Sequence, residues 1–67
     1  MKIKLNNIIY LIEEVEKTDD YSLMFTCDKF IIKYNSLSMK HINDIFNSLL
    51  TKGYAESDFD SYIIINK

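Results

Sequence analysis

Few residues in this chain could do covalent or metal chemistry. Cys27 and His41 are the only cysteine and the only histidine. A nucleophilic Cys–His pair needs thiol and imidazole within hydrogen-bond reach. Cys27 ends an alternating apolar run, and His41 falls early in an amphipathic segment, on its polar side. Nothing in that spacing joins them, so the expectation is a buried small cysteine and a solvated histidine. One cysteine can neither close a disulfide within the chain nor complete a zinc site built on cysteine pairs.

The carboxylates are more numerous. Glu13, Glu14, Glu16, Asp19 and Asp20 crowd around a single Lys17, and Glu56, Asp58 and Asp60 form a second group. Asp58-x-Asp60 has the opening of a calcium loop, but Tyr62 to Ile65 stand where the later glycine and acidic ligands should come. Paired carboxylates for acid–base work need a substrate cleft, which a domain of this size rarely builds. With one glycine there is no glycine-rich phosphate loop, and no GxSxG, HExxH or CxxC pattern occurs. The reading is a non-enzymatic chain without cofactor or metal.

These acids have a plain explanation as a solvated edge. A sharper one is a surface for a basic protein groove, with aromatic anchors supplied by Tyr21, Tyr54, Phe59 and Tyr62. The partner-binding set under that reading is Glu13, Glu14, Glu16, Asp19, Asp20, Tyr54, Glu56, Asp58, Phe59 and Asp60. Residues 53–62 stand out, because acids and aromatics alternate there on an expected loop.

The elements that must position these residues follow from periodicity. Lys2–Leu5 and the segment from Ile8 are joined by Asn6-Asn7, which suits a type I′ hairpin because Asn tolerates positive φ. In that register Leu5 faces Ile8 and Ile3 faces Tyr10. Residues 8–16 also fit a helix, with Ile8, Leu11, Ile12 and Val15 on one side; β-branched and aromatic content favours the strand. As one strand, Val15 would face away from Ile12. Tyr21, Leu23, Phe25 and Cys27 alternate with Ser22, Met24 and Thr26, and Asp28-Lys29 turns the chain into Phe30–Tyr34: a β-hairpin. Residues 38–52 place Met39, Ile42, Ile45, Phe46, Leu49 and Leu50 at helical spacing, with Ser36 or Ser38 as N-cap and Gly53 as left-handed C-cap. Tyr62–Ile65 reads as a last strand with both faces covered or one face meeting a partner. The expected fold is α+β: a small antiparallel sheet of three to five strands packed with one helix at about 38–52, ordered β-β-β-β-α-β, with α-β-β-α-β as the alternative.

Length and composition set the outer limits. At 67 residues the chain is one compact domain, residues 1–67, and at 48% hydrophobic it is too apolar for disorder. No apolar run approaches a membrane span or a secretion signal, so the expected location is the bacterial host cytoplasm. A net charge of −2 and the absence of arginine argue against direct nucleic-acid binding. Abundant Ile, Lys and Asn are amino acids of AT-rich codons, which points to a low-GC bacterium, its phage or a mobile element. The function expected is a small binding or inhibitor protein whose acidic-aromatic surface meets a larger basic, nucleic-acid-handling host protein. An anti-defence or anti-CRISPR-like inhibitor would act in this way. The alternative is a structural or self-assembling protein that forms a homodimer through an edge strand.

Overall fold

Two asparagines start the fold. Asn6 and Asn7 both take positive φ, 49° and 70°, as a two-residue type I′ turn requires. They join β1 (Lys2–Leu5) to β2 (Ile8–Leu11) in the expected register, with Leu5 opposite Ile8 and Ile3 opposite Tyr10. The chain then bends at Ile12 and Glu13 and enters β3 (Glu14–Asp19), β4 (Ser22–Thr26) and β5 (Phe30–Asn35). Next come α1 (Met39–Lys52), β6 (Tyr54–Ser57) and β7 (Ser61–Asn66). This computed structural model describes residues 1–58 and 61–67.

The class is α+β, with one helix packed on β-structure. The strands divide into two sheets, ordered β2-β1-β6 and β3-β4-β5-β7. Residues 8–16 are extended, so the helical alternative does not hold. Nor are they one strand. The bend at Ile12–Glu13 moves the chain from one sheet to the other and resets its alternation. Ile12 is buried, and Val15, opposite Phe25, packs on the same core rather than facing away.

β6 lies within the stretch expected to be loop. Gly53 (φ 73°) donates its N–H to the Leu49 carbonyl, closing α1 with a left-handed cap. Its own carbonyl accepts from the Lys2 N–H, and the chain runs on directly beside β1 in parallel pairing, Lys2 opposite Tyr54 and Leu5 opposite Ser57. Only Ala55 of β6 is buried, so no apolar alternation announced the strand.

Ile3, Leu5, Ile12, Leu23, Phe25, Cys27, Ile32, Tyr34, Ile42, Ile45, Leu49 and Ala55 form the core. At ~25 cal/mol per Å² of apolar area, such burial supplies most of the stabilisation a chain this short can collect. Ser38 is the N-cap, accepting the His41 N–H, while Ser36 accepts the Ser38 N–H. Met39 and Leu50 fit the helical period but lie outside the core and are exposed. Tyr21 is likewise exposed, since it belongs to the β3–β4 turn.

Candidate functional site

The register of the four-stranded sheet defines two faces. Leu23, Phe25, Ile32 and Tyr34 point inward to the core. The alternate residues point outward in three rows that cross the sheet. These rows are Glu14–Thr26–Ile31–Ile65, Glu16–Met24–Lys33–Ile63 and Asp19–Ser22–Asn35–Ser61. The outward face is therefore polarised: carboxylates line the β3 side and isoleucines the β7 side. Lys33 stands between them.

Two depressions mark this face. A shallow depression of about 310 Å³ lies among Glu16, Met24, Lys33 and Ile63. At the turn end is a wider groove of about 810 Å³, lined by Asp19, Asp20, Tyr21, Asn35, Leu37 and Ser61. Leu37 there is 100% exposed. The groove holds its shape through short bonds: Asp19 Oδ1 accepts the Tyr21 N–H at 2.8 Å, and Ser22 Oγ donates to Asn35 Oδ1 at 2.7 Å. Lys17, the one cation among the β3 acids, points inward and donates to Asn43 of α1 at 2.7 Å. Among the described residues the ion pairs within 4.0 Å are Lys29–Asp28 and Lys40–Asp44, so none of Glu13, Glu14, Glu16, Asp19 and Asp20 forms one.

The expected binding residues are not gathered into one patch. Glu14, Glu16 and Asp19 lie on β3, with Glu13 just before it and Asp20 just after. Tyr54 and Glu56 lie on β6 in the other sheet, followed by Asp58. Helix α1 packs against both strands and stands between the two groups. The Tyr54 hydroxyl donates to Glu56 Oε2 at 3.2 Å; loss of hydration, then the Glu56 charge, pushes that phenol's pKa upward. Phe59 and Asp60 lie outside the described residues. Leu37 was missed, because a lone apolar residue in a loop carries no sequence signal of exposure; the outward facing of Met24 followed from its alternation with Leu23 and Phe25, but not its place beside Glu16 and Lys33.

A second constellation joins residues far apart in sequence. The Tyr34 hydroxyl donates to Ser57 Oγ at 2.8 Å and lies 2.9 Å from His41 Nε2, which is 3.1 Å from Ser57 Oγ. Three elements, β5, α1 and β6, meet in this triangle. The expectation of a solvated His41 is thus corrected: its ring is half-buried and bonded. A serine oxygen 3.1 Å from an imidazole nitrogen has the spacing of a nucleophile and its base. Here, however, Tyr34 donates to that same oxygen and shares that same nitrogen, and Tyr34 is wholly buried. The triangle reads as a clasp between elements. Beside it lies a cleft of about 460 Å³ that mixes Lys4 and His41 with Glu56 and Asp58.

Cys27 is buried as expected, and burial pushes its thiol pKa up, which disfavours the reactive thiolate. It follows the end of β4, four residues beyond Leu23, the partner of Tyr34. Among the described residues no hydrogen bond joins it to His41, whose ring nitrogen is engaged with Tyr34 and Ser57. Among the described residues no group of three His, Cys, Asp or Glu side chains is placed to hold a metal ion. No described helix is long and apolar enough to cross a membrane. No family model matches the chain, and neither a curated protein nor a solved structure matches it.

Proposed function

We propose that this chain is a small non-enzymatic binding protein that docks a larger basic protein on the outward face of its four-stranded sheet. The supporting observation is the row of β3 carboxylates without close ion-pair partners among the described residues, beside exposed apolar anchors. Glu14, Glu16, Asp19 and Asp20 supply long-range attraction, which acts mainly on the rate of encounter. The exposed Tyr21 and Leu37, with the half-buried Met24, supply contacts that lose water on binding and hold the complex once formed. A nucleic-acid-handling protein suits this face, because carboxylates can occupy an Arg/Lys channel that normally receives phosphate. Occupying such a channel is inhibition by competition, as an anti-defence or anti-CRISPR-like protein of a phage or mobile element would practise it in the host cytoplasm. The Tyr34–His41–Ser57 clasp is consistent with the non-enzymatic reading, since its serine oxygen already accepts a hydrogen bond from the Tyr34 hydroxyl.

Affinity capture on the immobilised chain tests the proposal. Lysate of a low-GC bacterium should yield a basic protein whose retention falls with added salt. Retention should fall at least tenfold with Glu14→Lys/Glu16→Lys and with Tyr21→Ala/Leu37→Ala. Retention that survives both double variants would remove this face from the interaction. Loss on Glu56→Lys/Asp58→Lys alone would move the site to the β6 side of α1.

A further inference from the structure

The two edges of the four-stranded sheet are treated in opposite ways. β3 carries Glu14, Glu16, Lys17 and Asp19 along its length, the ordinary protection against strand-to-strand pairing. β7, at the other edge, has no ionisable carboxylate or amine between Ser61 and Asn66. Its Ile63, Ile64 and Ile65 are 58%, 45% and 41% exposed. An unprotected edge of this kind is a template for another strand.

Alternation of the ladder shows which groups it offers. The Lys67 N–H donates to the Lys29 carbonyl, so the odd-numbered residues of β7 bond to β5, and Ser61, Ile63 and Ile65 pair with Asn35, Lys33 and Ile31. Tyr62, Ile64 and Asn66 therefore turn their N–H and C=O groups outward. On the inward side, an open groove of about 560 Å³ among Asn6, Tyr62 and Ile64 leaves room for added side chains. The other bare edge, β2, is shorter. Its Ile12 N–H bonds to the Met1 carbonyl, so only Ile9 and Leu11 face outward there.

We propose that β7 pairs antiparallel with β7 of a second copy about a two-fold axis at Ile64, making one eight-stranded sheet. In this register Ile64 faces its own twin, Tyr62 faces Asn66, and all the outward backbone groups of both strands are used. Ile63 of each copy meets Ile65 of the other on the outward face. No like charges are opposed. Lys67 of each copy comes beside Ser61 of the other, at the mouth of the groove that holds Asp19 and Asp20, so the charge pattern is complementary under the two-fold. The same operation applied to β3 would set carboxylates against carboxylates. The dimer stands independently of the basic-partner reading: it needs no partner, and it leaves the β3 acids at the two outer borders of the joined face.

Light scattering on the eluted full chain should give twice the 8.0 kDa chain mass at rising concentration. Ile64→Pro should return it to the single-chain mass with an unchanged circular dichroism spectrum, because that N–H is not used by β5 and proline is tolerated on edge strands. Should Ile64→Pro fail to fold, Ile63→Lys/Ile65→Lys places like charges across the axis and should have the same effect. Under mild oxidation Ile64→Cys should cross-link to its twin, the two Cα atoms being about 5.5 Å apart in such a pair, and Ser61→Cys should not. The proposal is overturned by a single-chain mass at every concentration, by a mass above the dimer, by a dimer that survives in a folded variant, or by preferential cross-linking at Ser61→Cys.

Discussion

Tyr34 shows how one polar atom can hold three elements. Its ring fills the core while its hydroxyl reaches both His41 and Ser57. Tyr34→Phe keeps the ring and removes the bonds, so urea denaturation should show a loss of about 1–3 kcal/mol. A loss below about 0.5 kcal/mol would mean that the clasp contributes little beyond an average hydrogen bond. Tyr10 offers a second test. Its hydroxyl lies 3.5 Å from that of Tyr62, and this bond, then burial, pushes its pKa up from 10.0 to about 12. The folded state favours the neutral phenol, so the contribution is complete below pH 10.0 and is lost as pH rises through about 12. A phenolate titration should find Tyr10 ionising at about 12, and Tyr62→Phe should bring it down toward the ordinary value. The burial of Cys27 was legible in its alternating run. The engagement of His41 was not, since both its partners lie on other elements and only the third dimension brings them together.

At the scale of elements, local chemistry was most legible where it needs no distant partner. Asn6-Asn7 and the β1–β2 register, the β4–β5 hairpin, and α1 with its two caps follow from turn chemistry and periodicity. Ser38→Ala removes the acceptor of the His41 N–H and should lower stability by about 1 kcal/mol by urea denaturation, while Ser38→Gly should lose only a few tenths. Gly53→Ala meets no neighbouring atom within 4 Å, so its penalty isolates backbone strain at φ 73°. It should cost about 1–2 kcal/mol in the same measurement. The strand β6 was not legible, because its partner β1 lies at the far end of the sequence and supplies the hydrogen bonds that make Tyr54–Ser57 a strand. The bend at Ile12–Glu13 was hidden for a related reason: a change of sheet leaves no mark on composition.

For the whole molecule, the arrangement of charge matters more than its net value. Glu14 and Glu16, two residues apart on the same side of β3, are about 7 Å from one another at strand rise, within the Debye length of about 8 Å at physiological salt, so they act together on an approaching cation. Association with a basic partner should therefore slow as salt rises, with a smaller effect on dissociation, and Glu14→Gln/Glu16→Gln should flatten the salt dependence in stopped-flow measurements. An unchanged slope would leave those acids as edge protection alone. In the proposed dimer the acids lie at both outer borders of the sheet and the isoleucines along its centre. One such face could then meet a partner at two points.

By itself the sequence determined the class of object: a short α+β chain with a capped amphipathic helix, a tight asparagine hairpin and an acidic segment poor in counter-charges. Those features depend on backbone preference and side-chain period, which neighbours in sequence already express. Only the tertiary structure decided that the acids of β3 and β6 lie on separate sheets. It also set Leu37 and the β7 isoleucines in the open, and joined Tyr34, His41 and Ser57. These outcomes depend on which strand lies beside which. That pairing is settled by burying one shared core, and no single segment of the chain contains it.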